Sequence, residues 1–297
     1  MLKGVYTPVI TIFDKEGNFD KKSNTTIIEN LISNGIYGIC ILGTTGEFFN
    51  LTLEEKKEYI KFASGVINGR VELIVGVGSN NIKEVLQLVK CAENNNADAI
   101  LALPPFYFKL DDTHVYEYFS NIAKNTKLPM ILYNIPGNTK VNLSADLVLK
   151  LANNFENIAN GGVKETTESL GNVRNFVEKV KKVHKNFSVF SGIDEYLIPN
   201  LFIGGDGIVG TQTNTQSKLL VKTYKAFLDK DFEQLVVCQR EINRIMAVRE
   251  MPGNNILSTK AAVSIALDLD FNTSLRYYDI SVDKDVKEKI RNIVNPK

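Results

Sequence analysis

The sequence predicts an α/β fold, a (β/α)8 barrel with a helical segment appended at its C-terminal end. Three observations carry this. Eight short apolar runs rich in β-branched residues recur before Thr215. They are separated by longer stretches whose apolar residues repeat every three or four positions, the helical period. The connections are short, which implies parallel strands joined by right-handed crossovers. A doubly wound open sheet would use the same units, but eight of them favour closure into a barrel.

The predicted strands cover 5–12, 38–42, 72–77, 99–103, 130–134, 158–164, 188–191 and 207–211. Between them, Ile27, Ile28, Leu31 and Ile32, and again Val85, Leu86, Val89 and Ala92, mark apolar helix faces. Thr52-Leu53-Glu54-Glu55 reads as a capping box opening a helix that runs through Ala63. Asn34-Gly35 and Asn68-Gly69 read as helix ends followed by turns. After Thr215 the strand signals stop, and helices are expected over 219–228, 232–246, 258–267 and near 286–294. The first of these closes the barrel, so the domains expected are a catalytic barrel over 1–228 and a helical segment over 229–297 packed on it.

Bulk properties narrow the functional classes. Of 297 residues, 44% are hydrophobic and 23% charged, and Lys+Arg 35 against Asp+Glu 34 leave a net charge of +1. That balance disfavours nucleic acid or an anionic membrane as a partner, since both select a basic excess. No run approaches the about 18 apolar residues of a membrane span. The opening Met1-Leu2-Lys3-Gly4-Val5-Tyr6 lacks the pattern of a secretory signal. Cys40, Cys91 and Cys238 are odd in number, dispersed and set in apolar sequence, so they read as reduced core thiols. A cytoplasmic protein is expected.

Chemistry concentrates at three strand ends. Asn160-Gly161-Gly162-Val163-Lys164-Glu165-Thr166 ends a buried strand on a lysine. Burying an unpaired ammonium is costly, so Lys164 either snorkels out or pairs with Glu165, or it serves as a nucleophile. A lysine amine attacks a carbonyl only when neutral, and bringing its ordinary pKa of about 10.4 near 7 takes about 4–5 kcal/mol, which a barrel interior supplies by desolvation. Tyr133, in Leu132-Tyr133-Asn134-Ile135-Pro136, ends the preceding strand, and its phenol suits proton transfer beside such an amine; a core tyrosine is the ordinary alternative. Leu42-Gly43-Thr44-Thr45-Gly46-Glu47 sets two hydroxyls on a turn whose amides suit a carboxylate, although a plain turn before a helix reads the same way. His114 and His184 fit no metal or triad pattern. Gly205-Asp206-Gly207-Ile208-Val209-Gly210 matches a dinucleotide fingerprint literally, but it runs into a strand rather than out of one.

These motifs resemble those of the dihydrodipicolinate synthase / N-acetylneuraminate lyase superfamily. The match rests on Gly43-Thr44-Thr45-Gly46-Glu47, Tyr133-Asn134-Ile135-Pro136, Gly162-Val163-Lys164-Glu165-Thr166, Ser191-Gly192-Ile193-Asp194 and Gly204-Gly205-Asp206-Gly207. The resemblance implies a Schiff base between Lys164 and pyruvate or a 2-oxo acid, with no cofactor and no metal. It implies Tyr133 as acid/base, Thr44 and Thr45 as the carboxylate site, and Thr45 as the link from Tyr133 to Tyr107. In the synthase branch that last tyrosine comes from a neighbouring subunit, so a homotetramer, a dimer of dimers, is expected. Asn138 stands where that branch carries an arginine for a second carboxylate, which disfavours aspartate semialdehyde as substrate. Thr166, Asp194, Glu195, Val209 and Thr211 fall where sugar-acid members bind hydroxyl-rich tails; Asp194 and Glu195 read equally as caps of the next helix. The resemblance is strongest to aldolases that cleave or form a 2-keto-3-deoxy sugar acid from pyruvate and an aldehyde. N-acetylneuraminate lyase, dihydrodipicolinate synthase and a non-catalytic 2-oxo-acid-binding protein are the alternatives.

Overall fold

The computed structural model describes residues 1–278 and 280–295; residues 279, 296 and 297 of the expected C-terminal segment lie outside that description. Eight parallel strands, β1 (Gly4–Pro8), β2 (Gly38–Ile41), β3 (Glu72–Gly76), β4 (Ala99–Ala102), β5 (Met130–Asn134), β6 (Gly162–Glu165), β7 (Ser188–Ser191) and β8 (Gly207–Val209), pair in chain order. The ring closes where Gly4, Val5 and Tyr6 of β1 pair with Gly207, Ile208 and Val209 of β8. The crossovers carry α1 (Lys21–Ser33), α2 (Leu53–Ile67), α3 (Ile82–Asn94), α4 (Asp112–Lys124), α5 (Ala145–Asn154), α6 (Leu170–Phe176) and α7 (Leu197–Ile203), and α8 (Thr213–Leu228) follows β8 and packs on β1. This is a TIM barrel, and its strand interiors are buried on both faces as parallel strands require.

Local signals set most boundaries. Thr52 and Glu55 form the reciprocal capping box, with Thr52 N–H donating to Glu55 Oε2 at 2.8 Å and Glu55 N–H to Thr52 Oγ1 at 3.3 Å. Asn68 ends α2 in the left-handed region at φ 47°. Three strands are shorter than their apolar runs by two residues or more. β1 stops at Pro8, and the amides beyond it find side chains instead: Ile10 N–H donates to Asn214 Oδ1 and Ile12 N–H to Asn24 Oδ1. Ile158 belongs to a helical turn, Glu156–Ala159, packed against β5; an apolar run alone does not distinguish the two. β8 ends at Val209 because the chain turns at Gly210, whose carbonyl accepts the Thr213 N–H.

The C-terminal segment consists of α9 (Phe232–Met246), α10 (Asn255–Leu267) and α11 (Lys284–Val294). α10 is buried from Ile256 to Val263 and packs between α8 and α11, so Ser258, Thr259 and a lysine, Lys260, are buried along with its apolar residues. Val286 and Ile290 of α11 join Leu257, Ala261 and Ala262 of α10 in a small core. Among the described residues no helix is long and apolar enough to cross a membrane.

Candidate active site

β5 and β6 lie side by side with Tyr133 opposite Lys164 and Asn134 opposite Glu165. Side chains alternate along a strand, so Lys164 and Glu165 point to opposite faces. Glu165 Oε2 accepts from Asn134 Nδ2 at 2.7 Å, its Oε1 accepts the Thr167 N–H at 2.6 Å, and Asn134 Oδ1 accepts the Leu143 N–H at 2.9 Å. Outside the strand pairing, these bonds lock the ends of β5 and β6 together. They also occupy Glu165, so it does not neutralise its neighbour. Lys164 is 5% exposed, its Nζ lies 4.3 Å from the centroid of the Tyr133 ring, and no carboxylate pairs with it among the described residues. Gly192 leaves room for its stem: a Cβ there would stand 3.0 Å from Lys164 Cε and 2.3 Å from Thr166 Oγ1.

The turn after β2 supplies the complementary donors. Gly46 N–H bonds to the Gly43 carbonyl and Glu47 N–H to that of Thr44, whereas the Thr44 and Thr45 amides have no acceptor among the described residues. Two free N–H groups beside two hydroxyls make a concavity suited to a carboxylate. Thr11 Oγ1 supports it from β1's extension by donating to the Gly46 carbonyl at 2.8 Å. The Thr45 hydroxyl lies 3.3 Å from that of Thr211, and this is its hydrogen-bond partner rather than Tyr133.

A cavity of about 410 Å³ opens at the C-terminal ends of the strands. Of the residues singled out in the sequence, it brings together Lys164, Tyr133, Thr44, Thr45, Asn138, Thr166, Asp194 and Thr211. Val209 is buried in β8 without lining it, and Glu195 stands beside it on the turn that precedes α7, with its backbone carbonyl bonded to Gln239. Tyr107 is 81% exposed, sits at φ 87° and stacks edge-on against the exposed Phe108, away from its own chain's cavity. Among the described residues the Thr166 Oγ1 is buried without a partner, facing the same space as Gly192. Burial pushes the Asp194 carboxyl up to about 6, opposed by the Gln212 N–H that donates to it and by the charges of Arg249 and Lys164. Burial likewise pushes the Cys40 thiol up to about 11. Among the described residues no three His, Cys, Asp or Glu side chains are grouped to hold a metal.

The far wall comes from residues that sequence reasoning missed: Phe49, then Arg249 and Asn254 of the segment between α9 and α10, and Asn255, the first residue of α10. They lie in no motif. Only the Asn254 cap signal, which opens α10, was available to find the place where this segment turns. A larger cavity of about 790 Å³ lies at the opposite end of the barrel, among Met1, Lys3, Arg70 and Glu72, and holds none of these groups.

Comparison with known proteins places this geometry. The model of the dihydrodipicolinate synthetase family matches residues 1–297. The chain is 33% identical to the probable 2-dehydro-3-deoxy-D-pentonate aldolase YjhH of Escherichia coli K12 over 82% of this chain and 81% of that protein. It is 38% identical to the 4-hydroxy-tetrahydrodipicolinate synthase of Methanocaldococcus jannaschii over 79% and 78%. The crystal structure of E. coli K12 YagE in complex with pyruvate superposes with a TM-score of 0.94 at 29% identity, covering 99% and 97% of the two chains. The chain therefore belongs to the dihydrodipicolinate synthetase family and is an enzyme of its aldolase and synthase lyases.

Proposed function

We propose that the protein is a class I, metal-independent aldolase that cleaves or forms a 2-keto-3-deoxy sugar acid, with pyruvate as the fragment held on the enzyme. The observation that carries this reading is the buried amine of Lys164 beside the Tyr133 ring, in one cavity with the Thr44–Thr45 turn, with no carboxylate paired to the amine and no acceptor for the two turn amides among the described residues. In the cleavage direction the Lys164 lone pair attacks the C2 ketone, and water leaves as the imine forms. Tyr133, having given its phenol proton to the departing water, takes the proton of the C4 hydroxyl as the C3–C4 bond breaks, and the bonding electrons pass to the protonated imine to give an enamine and a free aldehyde. Protonation of the enamine at C3 and hydrolysis of the imine release pyruvate and restore the amine. The substrate carboxylate rests on the Thr44–Thr45 turn, and Thr166, Asp194 and Thr211 receive the hydroxyls of the tail. YagE, named as a putative 2-dehydro-3-deoxy-D-gluconate aldolase, and YjhH support this substrate class.

A second reading, synthesis from aspartate semialdehyde, has one observation in its favour. Asn138 supplies no cation, but Arg249 brings a guanidinium to the same cavity, where its charge also acts on Asp194. A substrate panel separates the two. With 2-keto-3-deoxygluconate and 2-dehydro-3-deoxy-D-pentonate, kcat/KM should exceed that of pyruvate condensation with aspartate semialdehyde by at least about tenfold, the scale of one well-placed polar contact. The reverse ranking, lost in Arg249→Ala, would establish the synthase reading instead. The exposed Tyr107 fits a neighbouring subunit's site, and a homotetramer in the cytoplasm is proposed on the same resemblance.

A further inference from the structure

The Glu47–Lys260 pair lies directly behind the carboxylate-binding turn, and the chemistry above makes no use of it. Both side chains are fully buried, one at the end of the Gly43–Glu47 motif and the other in the middle of α10, more than 200 positions later in the chain. Lys260 Nζ pairs with Glu47 Oε1 and also donates to the Ser274 carbonyl at 3.0 Å. Glu47 Oε2 accepts the Arg276 backbone N–H and Asn50 Nδ2, each at 3.0 Å. Arg276 itself bonds to Glu55 and to the carbonyls of Gly17 and Asn50. Glu47 holds φ 56°, a left-handed conformation that a side chain with a Cβ adopts only when its surroundings impose it. Its N–H closes the turn on Thr44.

We infer that the Glu47–Lys260 ion pair is a positioning latch: through it α10 holds the Thr44–Thr45 turn in its carboxylate-binding shape. This rests on the proposed imine chemistry. A buried pair is an expensive way to hold two elements together, since apolar residues of the same volume serve stability as well. What the pair adds is a fixed direction at Glu47, and hence fixed amides at Thr44 and Thr45. The same helix opens at Asn254 and Asn255 in the cavity wall, so one element of the C-terminal segment both lines the cavity and pairs with the end of the turn motif.

The test is borohydride trapping at graded pyruvate concentrations in three variants, Glu47→Gln, Lys260→Met and the double variant that removes both charges. In each variant that folds, the half-saturating pyruvate concentration should rise about tenfold, while trapping at saturation stays within about threefold of the wild type. A role in folding alone would move the unfolding midpoint without moving half-saturation. Half-saturation within about twofold of the wild type in the folded variants overturns the latch, as does failure of all three to fold. A wild type that forms no adduct at all sinks the imine reading itself, which is a separate result.

Discussion

Asp194 is a carboxyl in the cavity wall, 3% exposed, whose Oδ1 accepts the Gln212 N–H while Gly210 makes space for it. A rise from 3.8 to about 6 corresponds to about 3 kcal/mol between its two protonation states. The sign follows from linkage. The folded protein holds this proton more tightly than the unfolded chain, so the group's contribution to stability is full below about pH 4 and is lost as pH rises through about 6. Asp194→Asn keeps the acceptor and removes the titration. By urea unfolding, the variant should match the wild type near pH 4 and exceed it by about 3 kcal/mol near pH 8. Equal stability at pH 8 would show that Asp194 is not held away from water. The same environment suits a carboxyl that meets substrate hydroxyls rather than solvent.

At the scale of elements, the site depends on how closely β6 and the turn after β7 approach. Gly192→Ala puts a Cβ 2.3 Å from Thr166 Oγ1 and 3.0 Å from Lys164 Cε, so Thr166 or the turn must move and the lysine stem must give with it. Overpacking of this kind costs about 1–3 kcal/mol. Because the amine would leave its attack geometry, single-turnover imine formation at saturating pyruvate should fall by at least about tenfold. A wild-type rate in that variant would mean that the stem has slack. Glycine, lysine and tyrosine at these strand ends were readable in the sequence because each sits at a fixed offset from an apolar run, and a barrel brings such ends to one mouth. The Thr52–Glu55 capping box and the bounds of α9 were readable for the same local reason. Ile158 misled because burial in a helical turn leaves the same apolar signature as a strand. Arg249, Asn254 and Asn255 were silent, since the fold of the C-terminal segment, not any spacing, carries them to the cavity. Lys260 was equally silent: one charge in an apolar helix does not reveal a partner 213 positions earlier.

In the whole molecule, closure of the ring is what turns separate strand ends into a site. The Gly4–Tyr6 pairing with Gly207–Val209 brings β8, and with it Thr211, to within 3.3 Å of the Thr45 hydroxyl that follows β2. The C-terminal segment then roofs the mouth with Arg249 and Asn255 and reaches under it with Lys260. Exposure of Tyr107 and Phe108 on a loop held at positive φ suits contact with a second copy, which would add the phenol that one chain does not bring to its own cavity. The chemistry proposed for this site turns on one amine, that of Lys164. Its most direct test is reduction by borohydride in the presence of pyruvate, followed by intact mass and peptide mapping. One reduced pyruvate adduct per chain, carried on Lys164 and absent in Lys164→Ala, is the expected result. A folded wild type without an adduct, or with the adduct on another lysine, would contradict the account.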